Sequence, residues 1–163
     1  IKPNMVKING PVQVMAVHKP FKFTDGDSSY SAAPADEFII DATIEYKNHW
    51  IQQMALNYTH SLDAFISDIA PARTYAFEHE VEALRKNNLA KGGSLDNALV
   101  ITDSGFLNQP RFDNEMIRHK ILDFIGDMSI SNYQLKGHFK ISRPSHQANT
   151  AFLKYAVDQL VVV

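Results

Sequence analysis

Phe38-Ile39-Ile40-Asp41-Ala42-Thr43-Ile44-Glu45-Tyr46-Lys47 repeats with a period of two: Ile40, Ala42, Ile44 and Tyr46 fall on one side, and Asp41, Thr43, Glu45 and Lys47 on the other. Successive Cβ atoms of a strand point to opposite faces, so this stretch reads as a half-buried antiparallel strand with one face on a core and one in water. Residues 50–58 follow as its candidate hairpin partner. Upstream, residues 12–23 are extended but mixed, with Pro20 marking an edge or an irregular stretch because it cannot donate to a ladder. Asp25-Gly26-Asp27-Ser28 reads as a turn, Gly supplying the positive φ, and Pro34-Ala35-Asp36 as a second.

Downstream the period changes. Ser61 caps a short helix that ends before Pro71. Residues 72–77 are extended. Residues 78–88 have helical spacing through Val81, Leu84 and Arg85 and break at Gly92-Gly93. Residues 97–102 form a short apolar strand, and Asp113 or Asn114 then opens a long helix to about Ile130. Residues 134–141 read as a strand and 145–159 as a last helix. The apolar end Leu160-Val161-Val162-Val163 fits a final strand as well as a boundary before another domain. Strands first and mixed elements later predict an α+β domain, a two-layer sandwich in which helices cover one face of a largely antiparallel sheet.

The chain has 163 residues, 45% of them hydrophobic, which is enough for one domain with its own core. Sixteen Lys and Arg against 18 Asp and Glu give a net charge of −2, with no electrostatic footprint for nucleic acid. The absence of Cys rules out a disulfide framework, a thiolate zinc site and a thiol nucleophile, and leans toward the cytoplasm. No apolar run reaches the 18 or so residues that a membrane span needs. Gly92-Gly93-Ser94 is too short for a phosphate loop, and no G-x-S-x-G elbow occurs. Ile1 stands where a translated chain has Met, so further sequence is expected upstream.

The long helix concentrates the chemistry. Ile117, Ile121, Phe124, Ile125 and Met128 share one face, while His119, Lys120, Asp123 and Asp127 share another. The plain reading is an amphipathic helix with a wet side. The sharper one is that His119 and Asp123, at i and i+4, stand one turn apart and can reach a single metal ion. A His and carboxylate pair suits Zn²⁺, but an open hydrolytic zinc site takes three protein ligands, and this helix offers two. His146, at the start of the last helix, reads as a cap-region residue or a general acid.

Three segments taken in order, ARTYAFEHEVEALRKNNLAKGGSLDNALV (72–100), RHKILDFIGD (118–127) and RPSH (143–146), resemble the second domain of the UDP-3-O-acyl-N-acetylglucosamine deacetylase family. This is the zinc amidase of lipid A synthesis in Gram-negative bacteria. The resemblance is dense from residue 72 onward and compatible with the hairpin-rich start. H-K-x-x-D alone is common, whereas its combination with A-R-T-[FY] and G-G-S-x-D-N-A upstream is specific.

What the resemblance implies can be placed residue by residue. His119 and Asp123 match zinc ligands, Asp127 the carboxylate that orients a catalytic histidine, and His146 that histidine. Thr74 matches an oxyanion donor, Lys120 a residue near the substrate head group, and Arg143 a basic residue facing the diphosphate. Phe77 and Glu80 match contacts to nucleotide and sugar. The stretch from about 75 to 100 resembles an inserted β-α-β unit that forms a passage for the 3-O-acyl chain, with Val81, Ala90, Gly93, Ser94, Ala98 and Val100 at lining positions. Tyr75 stands where the family usually has Phe, adding a hydroxyl at the passage mouth. R-P-S-H-Q-A-N-T departs from the usual S-G-H-x-x-N. The family's third zinc ligand and its general-base glutamate come as a Glu-His pair from a preceding N-terminal domain. Glu78-His79 does not replace it, because it lies inside the inserted unit. The expectation is therefore a C-terminal domain, residues 1–163, that supplies half an active site and depends on an N-terminal domain in the same or a separate chain. A noncatalytic module that binds nucleotide-sugar or acyl chains on the same surface is the alternative.

Overall fold

The computed structural model of the chain describes residues 13–46, 50–51, 53–87 and 92–163, and for residues 82–85 the backbone alone. Lys47, Leu84, Arg85 and Ala90, singled out above, lie outside these residues or side chains.

The alternating stretch is β4 (Phe38–Ile44), and Ile40, Ala42 and Ile44 are its buried face. It pairs antiparallel with β5 (Met54–Thr59), which begins beyond Trp50. The expected extended segment at 12–23 is two strands, β1 (Val14–Val17) and β2 (Phe21–Asp25), interrupted around Pro20. A turn with Gly26 at φ 56 joins β2 to β3 (Ser28–Ala33).

β8 (Gln134–Ser142) organises the seven-stranded sheet. Gln134–Lys136 run parallel to β1, Gly137–Ser142 parallel to β4, and His138–Ser142 antiparallel to β3. The sheet is thus mixed, since β8 returns to β1 and β4 through long crossovers in the same direction. β9 (Leu160–Val162) pairs antiparallel with β1, so the apolar end does form a strand.

Helices cover one face. α3 (Glu115–Ser129) buries Ile117, Ile121, Phe124 and Met128, the i, i+4, i+7, i+11 stripe. α4 (His146–Ala156) buries Phe152 against it. Phe124, Phe139, Phe152 and Tyr30 meet as rings, Tyr30 and Phe152 stacked at 4.7 Å. Each such fully buried side chain contributes about 1.5–3 kcal/mol. Ser61 caps α1 (Leu62–Ala64) as expected, and the helix continues as a wider turn in which the Ala70 N–H reaches back five residues to Phe65. That turn carries the fully buried Ile69 and delivers residues 70–73 to α3.

The expected β-α-β unit is present: β6 (Thr74–Phe77) and β7 (Ala98–Ile101) form a separate two-stranded parallel sheet, with α2 (Glu78–Lys86) between them in sequence.

Candidate metal and catalytic site

The wet face of α3 is half-buried and internally paired. His119 Nε2 lies 3.2 Å from Asp123 Oδ1, with side-chain exposures of 15% and 11%. His119 Nδ1 is 3.0 Å from the Ala72 carbonyl. A carbonyl only accepts, so Nδ1 carries a proton, and in the neutral imidazole Nε2 then presents a lone pair. In that form two acceptors face each other, an arrangement that either a proton on Nε2 or a metal ion between them satisfies. Donors bonded to Zn²⁺ at about 2.0–2.1 Å in tetrahedral geometry sit roughly 3.3 Å apart, and a ligating histidine normally gives its other N–H to a carbonyl or carboxylate. The two residues therefore fit a zinc ion. Among the described residues, no group of three or more His, Cys, Asp or Glu can hold a metal.

The other expected residues gather around this pair. Lys120 Nζ donates to Asp123 Oδ2 at 3.1 Å and lies 5.3 Å from the centre of the Tyr75 ring. His146 opens α4, where Ser145 accepts from the Ala148 N–H as N-cap and Pro144 is buried. Pro144 and Ser145 thus give His146 a capped helix start. His146 Nδ1 lies 2.9 Å from Asp127 Oδ2, and its Nε2 is 3.7 Å from Asp123 Oδ1. The His146 side chain is 70% exposed and Asp127 only 14%, so the imidazole reaches outward from a fixed carboxylate.

A groove of about 470 Å³ opens beside these residues, lined by Tyr46, Tyr75, Phe77, Glu80, Lys120 and Arg143. Tyr75 and Tyr46 are hydrogen-bonded through their hydroxyls, and burial pushes both pKa values up, so both stay neutral. Glu80 Oε2 accepts the Phe77 N–H at 3.0 Å. Arg143 has a left-handed backbone, φ 50, and donates to Glu45 at 2.8 Å. A larger groove of about 770 Å³ lies on the open face of the sheet among Lys22, Asp41 and Lys140, and it holds none of the expected residues.

Thr74 is exposed at the start of β6, two residues past the carbonyl that bonds His119. Val81 and Ala98 are half-buried and Val100 is buried, whereas Gly93 and Ser94 are exposed in the turn before β7. None of these five residues lines the 470 Å³ groove.

Sequence reasoning missed Asn149, fully buried, which donates to Asp127 Oδ2 at 2.8 Å and accepts from the Tyr30 hydroxyl at 2.8 Å. Its i+3 spacing from His146 was the available signal. It also missed the Ala72 carbonyl, which no side-chain pattern marks.

Comparison with known sequences identifies the family. The profile of the UDP-3-O-acyl N-acetylglycosamine deacetylase family matches residues 2–158. The chain belongs to this family. Relatives named UDP-3-O-acyl-N-acetylglucosamine deacetylase include one from Oleidesulfovibrio alaskensis, 43% identical over 90% of this chain and 48% of its own length. One from Thermodesulfovibrio yellowstonii is 37% identical over 97% of this chain and 54% of its own length. One from Leptospira biflexa is 38% identical over 91% and 50%. The chain thus spans about half the length of the curated relatives it matches. No helix among the described residues is long and apolar enough to cross a membrane.

Proposed function

We propose that this chain is the C-terminal half of a cytoplasmic, zinc-dependent deacetylase of lipid A biosynthesis. It would hydrolyse the acetamide of UDP-3-O-acyl-N-acetylglucosamine to the amine and acetate. The observation that carries this reading is the apposition of His119 Nε2 and Asp123 Oδ1 at 3.2 Å beside a His146–Asp127 pair. Family membership and the relatives' names supply the substrate.

His119 and Asp123 would hold Zn²⁺, which when bound would supply a Lewis acid for the carbonyl and a more acidic water at neutral pH. In the reaction a C–O bond forms from water and the amide C–N bond breaks. His146, protonated and steadied by Asp127, gives its proton to the departing nitrogen. The Thr74 hydroxyl donates to the carbonyl oxygen as it gains charge. Lys120 and Arg143 line the groove that would take the head group and diphosphate, Arg offering a planar fork to phosphate oxygens. Phe77 and Glu80 line the same groove and would contact nucleotide and sugar. The β-α-β unit, with Tyr75 at its mouth, would pass the acyl chain. The water proton needs a base and the ion a third ligand. Both are proposed to come from the part of the relatives' length that this chain does not span, so the chain alone would be inactive.

The test uses the intact protein with zinc analysis and a deacetylation assay. His119→Ala should lose both zinc and turnover, while His146→Gln should keep zinc and lose about 10²–10⁴ in rate. Retained turnover in His119→Ala overturns the zinc reading. A protein that binds the UDP-sugar but never hydrolyses it is instead a noncatalytic module. Turnover by the 163-residue chain alone, with zinc added, overturns the half-site reading.

A further inference from the structure

One buried ion pair has no part in that chemistry. Arg73 and Glu115 have side-chain exposures of 7% and 0%. Glu115 Oε1 accepts from both the backbone N–H and the Nε of Arg73 at 2.9 Å, and Oε2 accepts from Arg73 Nη2 at 3.0 Å and the Arg111 N–H at 2.6 Å. The rest of the guanidinium reaches the carbonyls of Leu95 and Gln109 at 3.0 and 2.8 Å. Desolvating two charges is costly, and well-packed apolar residues commonly serve stability as well or better. What distinguishes this pair is where one of its hydrogen bonds lands.

The Arg73 N–H and the Ala72 C=O belong to a single peptide unit, which is planar and trans. Its N–H points to Glu115 and its C=O to His119 Nδ1. Glu115 and His119 lie one turn apart on α3, so the peptide plane is laid along the helix and held at both ends. Because the plane is rigid, anchoring its N–H fixes the direction of its carbonyl. The hydrogen bond made by one ring nitrogen of a histidine decides which nitrogen is left to act.

We propose that Glu115 is a positioning residue for His119: by holding the Arg73 N–H it aims the Ala72 carbonyl at Nδ1, which keeps a proton there and turns Nε2 toward Asp123. The consequence for metal binding rests on the function proposed above; the tautomer itself does not.

The experiment compares two double variants of the intact protein. Arg73→Met with Glu115→Leu replaces the pair by apolar side chains and removes the acceptor for the residue 73 N–H. Arg73→Met with Glu115→Gln keeps an oxygen for it. Long-range ¹H–¹⁵N spectra of metal-free, ¹⁵N-histidine-labelled protein, recorded at a pH where the imidazole is neutral, read the His119 tautomer, and titration with Zn²⁺ reads affinity. The native protein and the Gln variant should hold the Nδ1–H form, while the Leu variant should populate Nε2–H and bind zinc about 10–100-fold more weakly. If the Leu variant does not fold, Glu115→Asp, whose carboxylate is withdrawn by one methylene, carries the same expectation. An unchanged tautomer in a folded Leu or Asp variant, or an equal change in the Leu and Gln variants, overturns the proposal. A tautomer that follows Glu115 in a protein whose zinc does not depend on His119 supports it and overturns the zinc reading alone.

Discussion

His146 Nδ1 and Asn149 Nδ2 both donate to Asp127 Oδ2, at 2.9 and 2.8 Å. The carboxylate that orients the exposed imidazole is thus itself held by a buried amide, and that amide by the Tyr30 hydroxyl. Removing Asn149 frees Asp127 to rotate and leaves a buried hydroxyl without its acceptor. Asn149→Ala should lower kcat about ten- to a hundredfold, the worth of one hydrogen bond to a charged group, with little change in KM. If the intact protein turns over as proposed, its steady-state kinetics checks this, and an unchanged kcat would detach Asn149 from the site.

Burial pushes the phenols of Tyr30 and Tyr58 up to about 12, against an ordinary value of 10.0. The folded state therefore favours the neutral form. Their contribution is complete below pH 10, where both states are protonated, and is lost as pH rises from about 10 to 12, by roughly 3 kcal/mol for each tyrosine. Denaturant midpoints measured between pH 9 and 12 should fall along this course. Tyr30→Phe should flatten part of the fall, and an equal slope in the variant would contradict the assignment.

Gly137 sits where β8 changes partner from β1 to β4, with φ 146. A Cβ there would lie 2.5 Å from Val17 Cγ2. Gly137→Ala should cost about 1–3 kcal/mol through strain and overpacking. Gly26, at φ 56 with open space around it, should cost less on the same change, about 1 kcal/mol. Chemical denaturation of the two variants decides, and a reversed order would place the constraint elsewhere.

Arg143 is held in its left-handed conformation by its N–H donating to the Thr43 carbonyl and by its own carbonyl accepting from Ser28. Arg143→Gly relieves backbone strain and loses only surface ion pairs with Glu45 and Asp27, so stability should change by less than about 1 kcal/mol. If the groove takes a diphosphate, UDP affinity in calorimetry should fall about tenfold or more. Undiminished UDP binding would remove Arg143 from the proposed site.

Much of this architecture was legible because it is local. The alternation through Ile40, Ala42 and Ile44 marks a strand face, and the spacing of Ile117, Ile121, Phe124 and Met128 marks a helix stripe. The same helical geometry brings His119 within reach of Asp123, since i and i+4 always neighbour each other. The extended, helical and extended segments over 72–102 were legible from their residues, and the resemblance implied that they form one β-α-β unit. Family motifs gathered Tyr75, Phe77, Glu80, Lys120 and Arg143, residues scattered over nearly 70 positions that line one groove.

By itself, then, the sequence determined which segments are strands and helices, which faces they bury, and which polar residues share a turn of α3. These depend on periodicities of two and 3.6 residues that any short stretch carries. Only the tertiary structure decided that β8 joins β1, β3 and β4, that Asn149 braces Asp127, and that the 72–73 peptide bridges Glu115 and His119. Those relationships join groups 22 to more than 100 residues apart, several of them through backbone atoms common to every amino acid. No local pattern can encode them; they exist only once the chain has closed on itself.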